Sequence, residues 1–269
     1  MNSLDDAGKT IDKNKVKQSF ALAAKSYDGL AGLQRSVGFD FINKLDLERW
    51  HKNQQIVDIG CGTGFITQQL QLKNAAQDIV AVDIAFSMLQ VTKEKLGNIT
   101  CLCADAEFLP LLSGSVNHIV SNLALQWCQN LESVFNGFHR VLKKQGTLNF
   151  STFGPDTLKE LKFSWSQVDS YQHVNDFYSI IDLTGFLQLA GFREVKIESK
   201  IYHSKYSTVL ELMRELKGIG AHNVLSGRNK KITSKTDMQN MISAYEKSTE
   251  NNSITATYEI IFVTASVMK

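Results

Sequence analysis

From Ile56 to Phe65 the chain reads Ile-Val-Asp-Ile-Gly-Cys-Gly-Thr-Gly-Phe, so Asp58, Gly60, Gly62 and Gly64 form the pattern Asp-x-Gly-x-Gly-x-Gly. Glycine accepts positive φ and has no Cβ. Alternate glycines therefore let the backbone turn sharply and let a ligand lie against it. Ile56, Val57 and Ile59 are β-branched and apolar, as a strand buried on both faces requires. The spacing predicts a helix over 65–72, with its free N–H groups and positive dipole end facing the turn. Strand, glycine turn and helix in that order make a nucleotide-shaped site. The dinucleotide fingerprint G-x-G-x-x-G is not completed, because Phe65 stands at the third glycine position. That argues against a nicotinamide dehydrogenase.

The glycine pattern with an acid inside the strand resembles the first motif of class I S-adenosylmethionine (SAM) methyltransferases. SAM has no pyrophosphate but carries an ammonium group, which Asp58 suits; the competing role for Asp58 is a brace for the turn. Asp83 ends the predicted strand Ile79-Val-Ala-Val-Asp83. It follows Gly64 by about 20 residues, the separation of an acid that grips ribose hydroxyls. A carboxylate accepts both hydrogen bonds of a cis-diol; the alternative is a cap for the helix that Ser87 begins. Asp105, in Cys103-Ala-Asp-Ala-Glu107, follows the third strand, where an acid and small residues can receive an adenine. A plain turn acid is the other reading. Asn122-Leu-Ala-Leu-Gln-Trp127 follows the fourth strand and brings Asn122 and Leu123 beside the sulfonium. Trp127 either walls the acceptor site or fills the core.

The elements that must position these residues follow from periodicity. Residues 13–47 predict helices with apolar residues at Val16, Phe20, Ala23 and Ala24 and again at Val37, Phe41, Ile42 and Leu45, broken at Ser26-Tyr-Asp-Gly29. Strands are expected over 78–82, 99–103, 116–121 and 146–152. Helices are expected over 87–96, with Ser87 as N-cap, and over 131–142. Such alternation means a parallel sheet with helices on both faces. Residues 153–180 read as aromatic-rich and irregular. A helix over 183–189 should end at Gly191, a strand should cover 195–202, a helix 208–219 and a last strand 258–265. The long excursion between the last two strands should lie over the carboxyl ends of the sheet. The fold expected is α/β: a Rossmann-like class I methyltransferase with a mostly parallel seven-stranded sheet, helices on both faces, N-terminal helices and an inserted helical lid.

The chain has 269 residues, 43% hydrophobic and 21% charged, with a formal net charge of +2. That suffices for one well-buried domain and argues against a large nucleic-acid footprint. No apolar run approaches the ~20 residues that span a bilayer, and residues 1–17 lack a secretory core. A cytoplasmic protein is expected, acting neither on nucleic acid nor at a membrane. Cys61, Cys101, Cys103 and Cys128 form no C-x-x-C pair. Reduced thiols are expected, with no metal site.

A narrower resemblance spans the chain. Phe20-Ala-Leu-Ala-Ala-Lys-Ser-Tyr-Asp28 with Leu33-Gln-Arg35, Ser121-Asn-Leu-Ala-Leu-Gln-Trp127, Thr152-Phe-Gly-Pro-Asp-Thr-Leu158, Leu212-Met-Arg-Glu-Leu-Lys-Gly-Ile-Gly-Ala-His-Asn223 and Thr257-Tyr-Glu-Ile-Ile261 resemble the malonyl-acyl-carrier-protein O-methyltransferases of biotin synthesis. Residues 226–253 have no counterpart in that pattern. The resemblance implies SAM as cofactor, held by Phe20, Tyr27, Gln34, Asp58, Gly60, Gly62, Gly64, Asp83, Ile84, Met88, Asp105, Ala106, Asn122 and Leu123. It implies malonyl-acyl-carrier protein as substrate partner, with Arg35, Trp127, Phe153, Arg214, Lys217 and His222 on the acceptor side. It also implies a single domain. Residues 13–47 would be a helical flank, 50–200 and 255–267 the SAM-binding core, and 153–180 with 203–253 the acceptor-side lid.

The reaction so implied is methylation of a free carboxylate. That group is anionic at neutral pH and needs no general base. Alignment and desolvation suffice, consistent with the lack of a Ser-His-Asp or paired-acid set. Arginine suits carboxylate capture, which singles out Arg214, with Lys217 and Arg35 beside it as candidates or as ordinary solvated charges. Arg140, Lys143 and Lys144 can form a basic rim for an acidic carrier. His173 and His203 are read as isolated; His222 lies in the lid motif. The alternatives are a SAM methyltransferase of another small acid or a quinone precursor, and a non-catalytic SAM-fold interaction protein.

Overall fold

The computed structural model describes residues 11–73, 78–220, 233–248 and 253–268. Three helices come first: α1 (Lys13–Ala23), α2 (Tyr27–Leu30) and α3 (Gly32–Lys44). Asp12 caps α1 by accepting from Lys15 N–H. The break expected at residues 26–29 falls a little earlier, because Tyr27 to Leu30 close a short helical turn of their own.

The alternating core follows as β1 (Gln55–Ile59), α4 (Phe65–Leu72), β2 (Asp78–Asp83), α5 (Phe86–Leu96), β3 (Thr100–Cys103), β4 (Val116–Asn122), α6 (Leu131–Val141) and β5 (Leu142–Phe153). Then come α7 (Lys159–Ser166), α8 (Ile180–Leu189), β6 (Arg193–Tyr206), α9 (Val209–Gly218), α10 (Lys235–Ser248) and β7 (Ile254–Ser266). The seven strands form one sheet in the order β3-β2-β1-β4-β5-β7-β6. The first five pair in parallel, and β7 runs antiparallel between β5 and β6. The order reverses direction at β1 and β4, so a crevice opens beyond their carboxyl ends.

Period-two alternation sorts the strand residues between two apolar layers. Ile56, Ile79 and Ala81 pack with Phe41 of α3, Ile66 and Leu70 of α4 and Leu89 of α5. Val57, Ile59, Val80 and Val82 pack on the other face with Val134, Phe135 and Phe138 of α6 and Leu183 and Leu187 of α8. Burial on both faces is why these strands read as apolar runs rather than alternating ones.

Three local expectations are corrected. Ser87 does not cap α5; the cap position is Ala85, whose N–H is taken by Asp83. Residues 153–180 contain α7, held by burial of Leu161, Ser164 and Trp165. Part of the polar stretch 226–253 forms α10, anchored by fully buried Met241 and Tyr245. α7 is short and α10 buries only two residues of a polar run, so the periodicity of neither stands out alone, and each packs against the other. No helix among the described residues is long and apolar enough to cross a membrane.

Candidate active site

The glycine turn hangs from the end of β2. Gly60 and Cys61 donate to Val82 O at 2.8 and 3.0 Å, which ties the turn after β1 to the neighbouring strand. Gly60 has φ +67°, and a Cβ there would lie 2.2 Å from the Cβ of Ala124. Gly62 has φ +55° and open space around its missing Cβ, so the backbone itself faces whatever lies above the turn.

Asp83 binds this turn from below. Its Oδ2 accepts Gly62 N–H at 3.0 Å and its Oδ1 accepts Ala85 N–H at 2.8 Å. Burial pushes its carboxyl up to about 6, against the opposing pull of those backbone bonds. Asp58 is 1% exposed. It shares the strand face of Ile56, so its Oδ2 accepts from Thr67 of α4 at 2.6 Å, and its Oδ1 has no partner among the described residues. Burial pushes its pKa to about 7.

Above the turn lies a cavity of about 100 Å³. Its walls come from the turn (Gly60, Gly62), the ends of β2 and β4 (Asp83, Asn122), the segments that follow β2 and β3 (Ile84, Asp105, Ala106), and Met88, Leu123 and Trp127. Phe20 and Tyr27 close it from the N-terminal side, with the Phe20 ring edge-on to Trp127 at 5.5 Å. Asn122 is oriented by accepting from Ser151 Oγ at 2.7 Å and donating to Gln34 O at 3.3 Å. Leu123 has φ +49°, a strained value held by its N–H bonds to Ser151 O and Oγ.

Two clasps hold the N-terminal helices over this cavity. Lys13 pairs with Asp105 and, at 2.7 Å, with Glu107. Burial works against the Lys13 charge, but these hydrogen bonds outweigh it and raise its pKa. At the other end Asp28 accepts from Thr63 Oγ1 at 2.6 Å and pairs with Lys95. Lys13 was not foreseen from sequence; it stands far from Asp105 along the chain, and its residue type marks nothing by itself.

A second cavity, about 550 Å³, lies across Trp127, which lines both. It is mostly apolar, with Leu33, Phe153, Leu161, Phe177, Met213 and Met238 among its walls. Arg214 and Lys217 of α9 line it, as do His173 and Asn175. Glu215, also on its wall, accepts from Tyr206 OH at 2.9 Å, and burial raises its pKa.

The sequence-predicted residues therefore divide. Asp58, Gly64 and Gln34 do not line the first cavity. Asp58 faces α4, Gly64 closes against Thr92 and Leu96 of α5, and Gln34 lines the second cavity. The others expected on the cofactor do line the first. On the acceptor side, Trp127, Phe153, Arg214 and Lys217 line the second cavity. Arg35 lines neither, its guanidinium being spent on Asp28 O. His222 lies outside the described residues. His173 is not isolated: its Nε2 lies 2.9 Å from Asp169 Oδ1, and its ring stacks on Trp165 at 3.7 Å.

A methyltransferase-domain family model matches residues 57–150. The malonyl-[acyl-carrier protein] O-methyltransferase of Gallionella capsiferriformans (strain ES-2) is 38% identical over 261 residues, covering 94% of this chain and 90% of that one. The chain belongs to the malonyl-[acyl-carrier protein] O-methyltransferase family. A further relative, the biotin biosynthesis bifunctional protein BioHC of Cellvibrio japonicus (strain Ueda107), is 37% identical over 94% of this chain and 50% of its own length. Among solved structures, the YcgJ protein of a Bacillus is similar with a TM-score of 0.62 at 14% identity, over 87% of this chain and 98% of that one. Phosphoethanolamine N-methyltransferase 2 of Haemonchus contortus, solved with S-adenosyl-L-methionine, has a TM-score of 0.57 at 15% identity, over 93% of this chain and 57% of that one. These two likenesses show the fold.

The family's methyl donor is SAM, and the residues present fit it. Gly62 leaves the turn open above its backbone. Asp83 spends one lone pair of each oxygen on the backbone, which leaves further acceptor capacity facing the cavity.

Proposed function

We propose that this chain methylates the free carboxylate of a malonyl group carried as a thioester on acyl carrier protein, yielding the methyl ester that primes biotin synthesis. The observation that supports it most is the second cavity. It is mostly apolar, larger than the first, shares Trp127 with it as a wall, and carries Arg214 and Lys217. The identity to malonyl-[acyl-carrier protein] O-methyltransferases over nearly the whole chain supports the choice of acceptor.

A methyl donor held by the residues of the first cavity would supply an electrophilic methyl group for a carboxylate oxygen, with the carbon–sulfur electron pair left on sulfur. The chain's residues do the rest. Gly60 and Gly62 would give backbone approach, Asp83 would accept from the ribose hydroxyls, and Asp105 with Ala106 would border the base. Asn122, fixed by Ser151 and the Gln34 carbonyl, would hold the reacting end against Leu123. Phe20, Tyr27 and Trp127, which line the first cavity, would shield the reacting groups from solvent, so that two opposite charges meet at low dielectric. Arg214 would orient the acceptor carboxylate without taking its charge away, because a guanidinium does not give up its proton. No residue need remove a proton. The rate gain is alignment, for which effective molarities of roughly 10⁵ M or more are available.

The test is direct: incubate the protein with SAM and malonyl-carrier protein and look for the methyl ester by mass spectrometry. Ester formation is expected. Absence of ester, with transfer to a different small acid or quinone precursor, overturns the proposal.

A further inference from the structure

Phe153, Thr157 and Leu158 stand on the wall of the second cavity, and the short connection from β5 to α7 sets where they stand. Glu259 of β7 holds that connection. Its N–H donates to Thr157 Oγ1 at 3.1 Å, and its carbonyl accepts from Gly154 N–H at 2.9 Å and from Thr157 Oγ1 at 3.0 Å. Its side chain reaches the same connection: Oε2 accepts Asp156 N–H at 3.0 Å, while Oε1 accepts from Ser199 Oγ of β6 at 2.9 Å. Two residues earlier on β7, the Thr257 carbonyl accepts Leu158 N–H at 2.7 Å. Leu158 has φ +56°, a strained value for a residue with a side chain. Glu160 of α7 accepts Thr257 N–H at 3.1 Å, so the far end of the connection is anchored independently of Glu259.

Gly154 and Glu259 fit one another. A Cβ at Gly154 would lie 2.5 Å from Glu259 Oε2, the oxygen that holds Asp156, and the atoms nearest to it all belong to Glu259. The stretches Thr152–Leu158 and Thr257–Ile261, far apart in the chain, therefore meet as one unit behind the acceptor wall. A carboxylate suits this place, because it has two acceptor oxygens for donors on two different elements and no proton to oppose either. Glu259 itself lines neither cavity. We infer that Glu259 is a positioning residue of the acceptor site: its carboxylate, seated against Gly154, holds the connection so that Phe153, Thr157 and Leu158 keep the wall against which the malonyl thioester rests. This rests on the proposed function and deepens it.

The test measures kcat and KM for malonyl-carrier protein, and SAM affinity by calorimetry, in the wild type, Glu259→Ala, Glu259→Gln, Gly154→Ala and the double variant Gly154→Ala with Glu259→Ala. Glu259→Ala should raise the KM about tenfold, the scale of a hydrogen bond to a charged group. Its SAM affinity should stay within about twofold, because the backbone bonds of Glu259 and the Glu160 anchor remain. Glu259→Gln should stay within about threefold of wild type, since its amide oxygen still accepts Asp156 N–H and its amide nitrogen can donate to Ser199 Oγ. Gly154→Ala should match Glu259→Ala, because the added Cβ displaces the carboxylate. The double variant should be no worse than either single one, because the group that the Cβ displaces is already gone. Unaltered acceptor kinetics in Glu259→Ala, an equal loss in Glu259→Gln, losses that multiply in the double variant, or weakened SAM binding or failure to fold in Glu259→Ala would each overturn the role of Glu259. All of these leave wild-type turnover intact. Failure of the wild type itself to methylate malonyl-carrier protein is the separate result that overturns the proposed function, and this inference with it.

Discussion

The cavity above the glycine turn takes its polar walls from strand ends and the residues just after them, Gly60 after β1, Asp83 at the end of β2, Asp105 after β3 and Asn122 at the end of β4, while Phe20, Tyr27 and Met88 of α1, α2 and α5 close it. The cavity across Trp127 takes its walls from helices α3, α7, α9 and α10 and from residues 173–177. Parallel strands pinned by their neighbours bring the first set together whatever the helices do. The second set meets only because α7, α9 and α10 pack over β5, β6 and β7. Both regions are mostly apolar; the first adds open backbone and the carboxylates of Asp83 and Asp105, the second separate polar groups carried by helices and by residues 173–177. A region of the first kind should fail abruptly when one residue is changed. A region of the second kind should fail selectively, by acceptor.

The largest expected effect is on the strand-end side. Asp83→Ala removes the acceptor of two backbone N–H groups, at Gly62 and Ala85, along with the proposed ribose contact. Hydrogen bonds to a charged group contribute about 1.5–3 kcal/mol each. SAM should therefore bind about 100-fold more weakly by calorimetry, and acceptor specificity should not change. A loss under threefold would show that Asp83 is not central to the first cavity. Next comes Arg214→Ala on the other side. SAM affinity should stay within twofold while the KM for malonyl-carrier protein rises about thirtyfold, as removal of a carboxylate–guanidinium contact implies. Unchanged acceptor kinetics would remove Arg214 from the acceptor site.

The same division decides what was legible in the sequence. Asp58 to Phe65, Asp83, Asp105 and Asn122 announce themselves because strand, turn and acid are local patterns, and local patterns survive without tertiary information. Within them the errors were of one residue or one face. Ser87 reads as a helix cap, but Asp83 already takes the Ala85 N–H and starts α5 earlier. Asp58 reads as a ligand contact, but its parity in β1 turns it toward Thr67. On the acceptor side the family pattern supplied Trp127, Phe153, Arg214 and Lys217. It did not supply His173 or Asn175, whose meaning depends on Asp169, on Trp165 and on burial. Nor did periodicity reveal α10, because its buried residues, Met241 and Tyr245, are only two in a polar run. Lys13 is the remaining case, since an ion pair across the sheet's open end leaves no trace in spacing.

Acidity separates the two regions by a smaller margin. Burial raises Asp83 to about 6 from 3.8, so the folded protein holds a proton there that the unfolded chain has released. The contribution of Asp83 to stability without ligand therefore falls as pH rises from about 4 to about 6. A ribose diol is best accepted by the carboxylate, so SAM binding should move the opposite way. Between pH 7 and pH 5 SAM affinity should drop about tenfold, and the rise in melting temperature given by saturating SAM should shrink with it. In Asp83→Asn that part of the pH dependence should be absent. A wild-type affinity flat across this range would mean that the proton on Asp83 does not matter to the ligand.

The smallest effect tests whether the first region's closure comes from its lid. Lys13 spans from α1 to Asp105 and Glu107, with its side chain 19% exposed. Partly exposed ion pairs contribute about 1 kcal/mol at most, so Lys13→Ala should not unfold the protein. It should loosen α1 from the residues after β3. The expected result is a SAM dissociation rate about fivefold faster in stopped-flow, with an association rate little changed and the KM of the acceptor the same. Lys95→Ala, which leaves the other clasp only the Thr63–Asp28 hydrogen bond, should act in the same direction. Together the two should add if the clasps are independent and fall short of additive if α1 and α2 open as one body. A rise in acceptor KM from either substitution would show that α1 and α2, like α3, also shape the second cavity, and the two regions would then not be separable at Trp127.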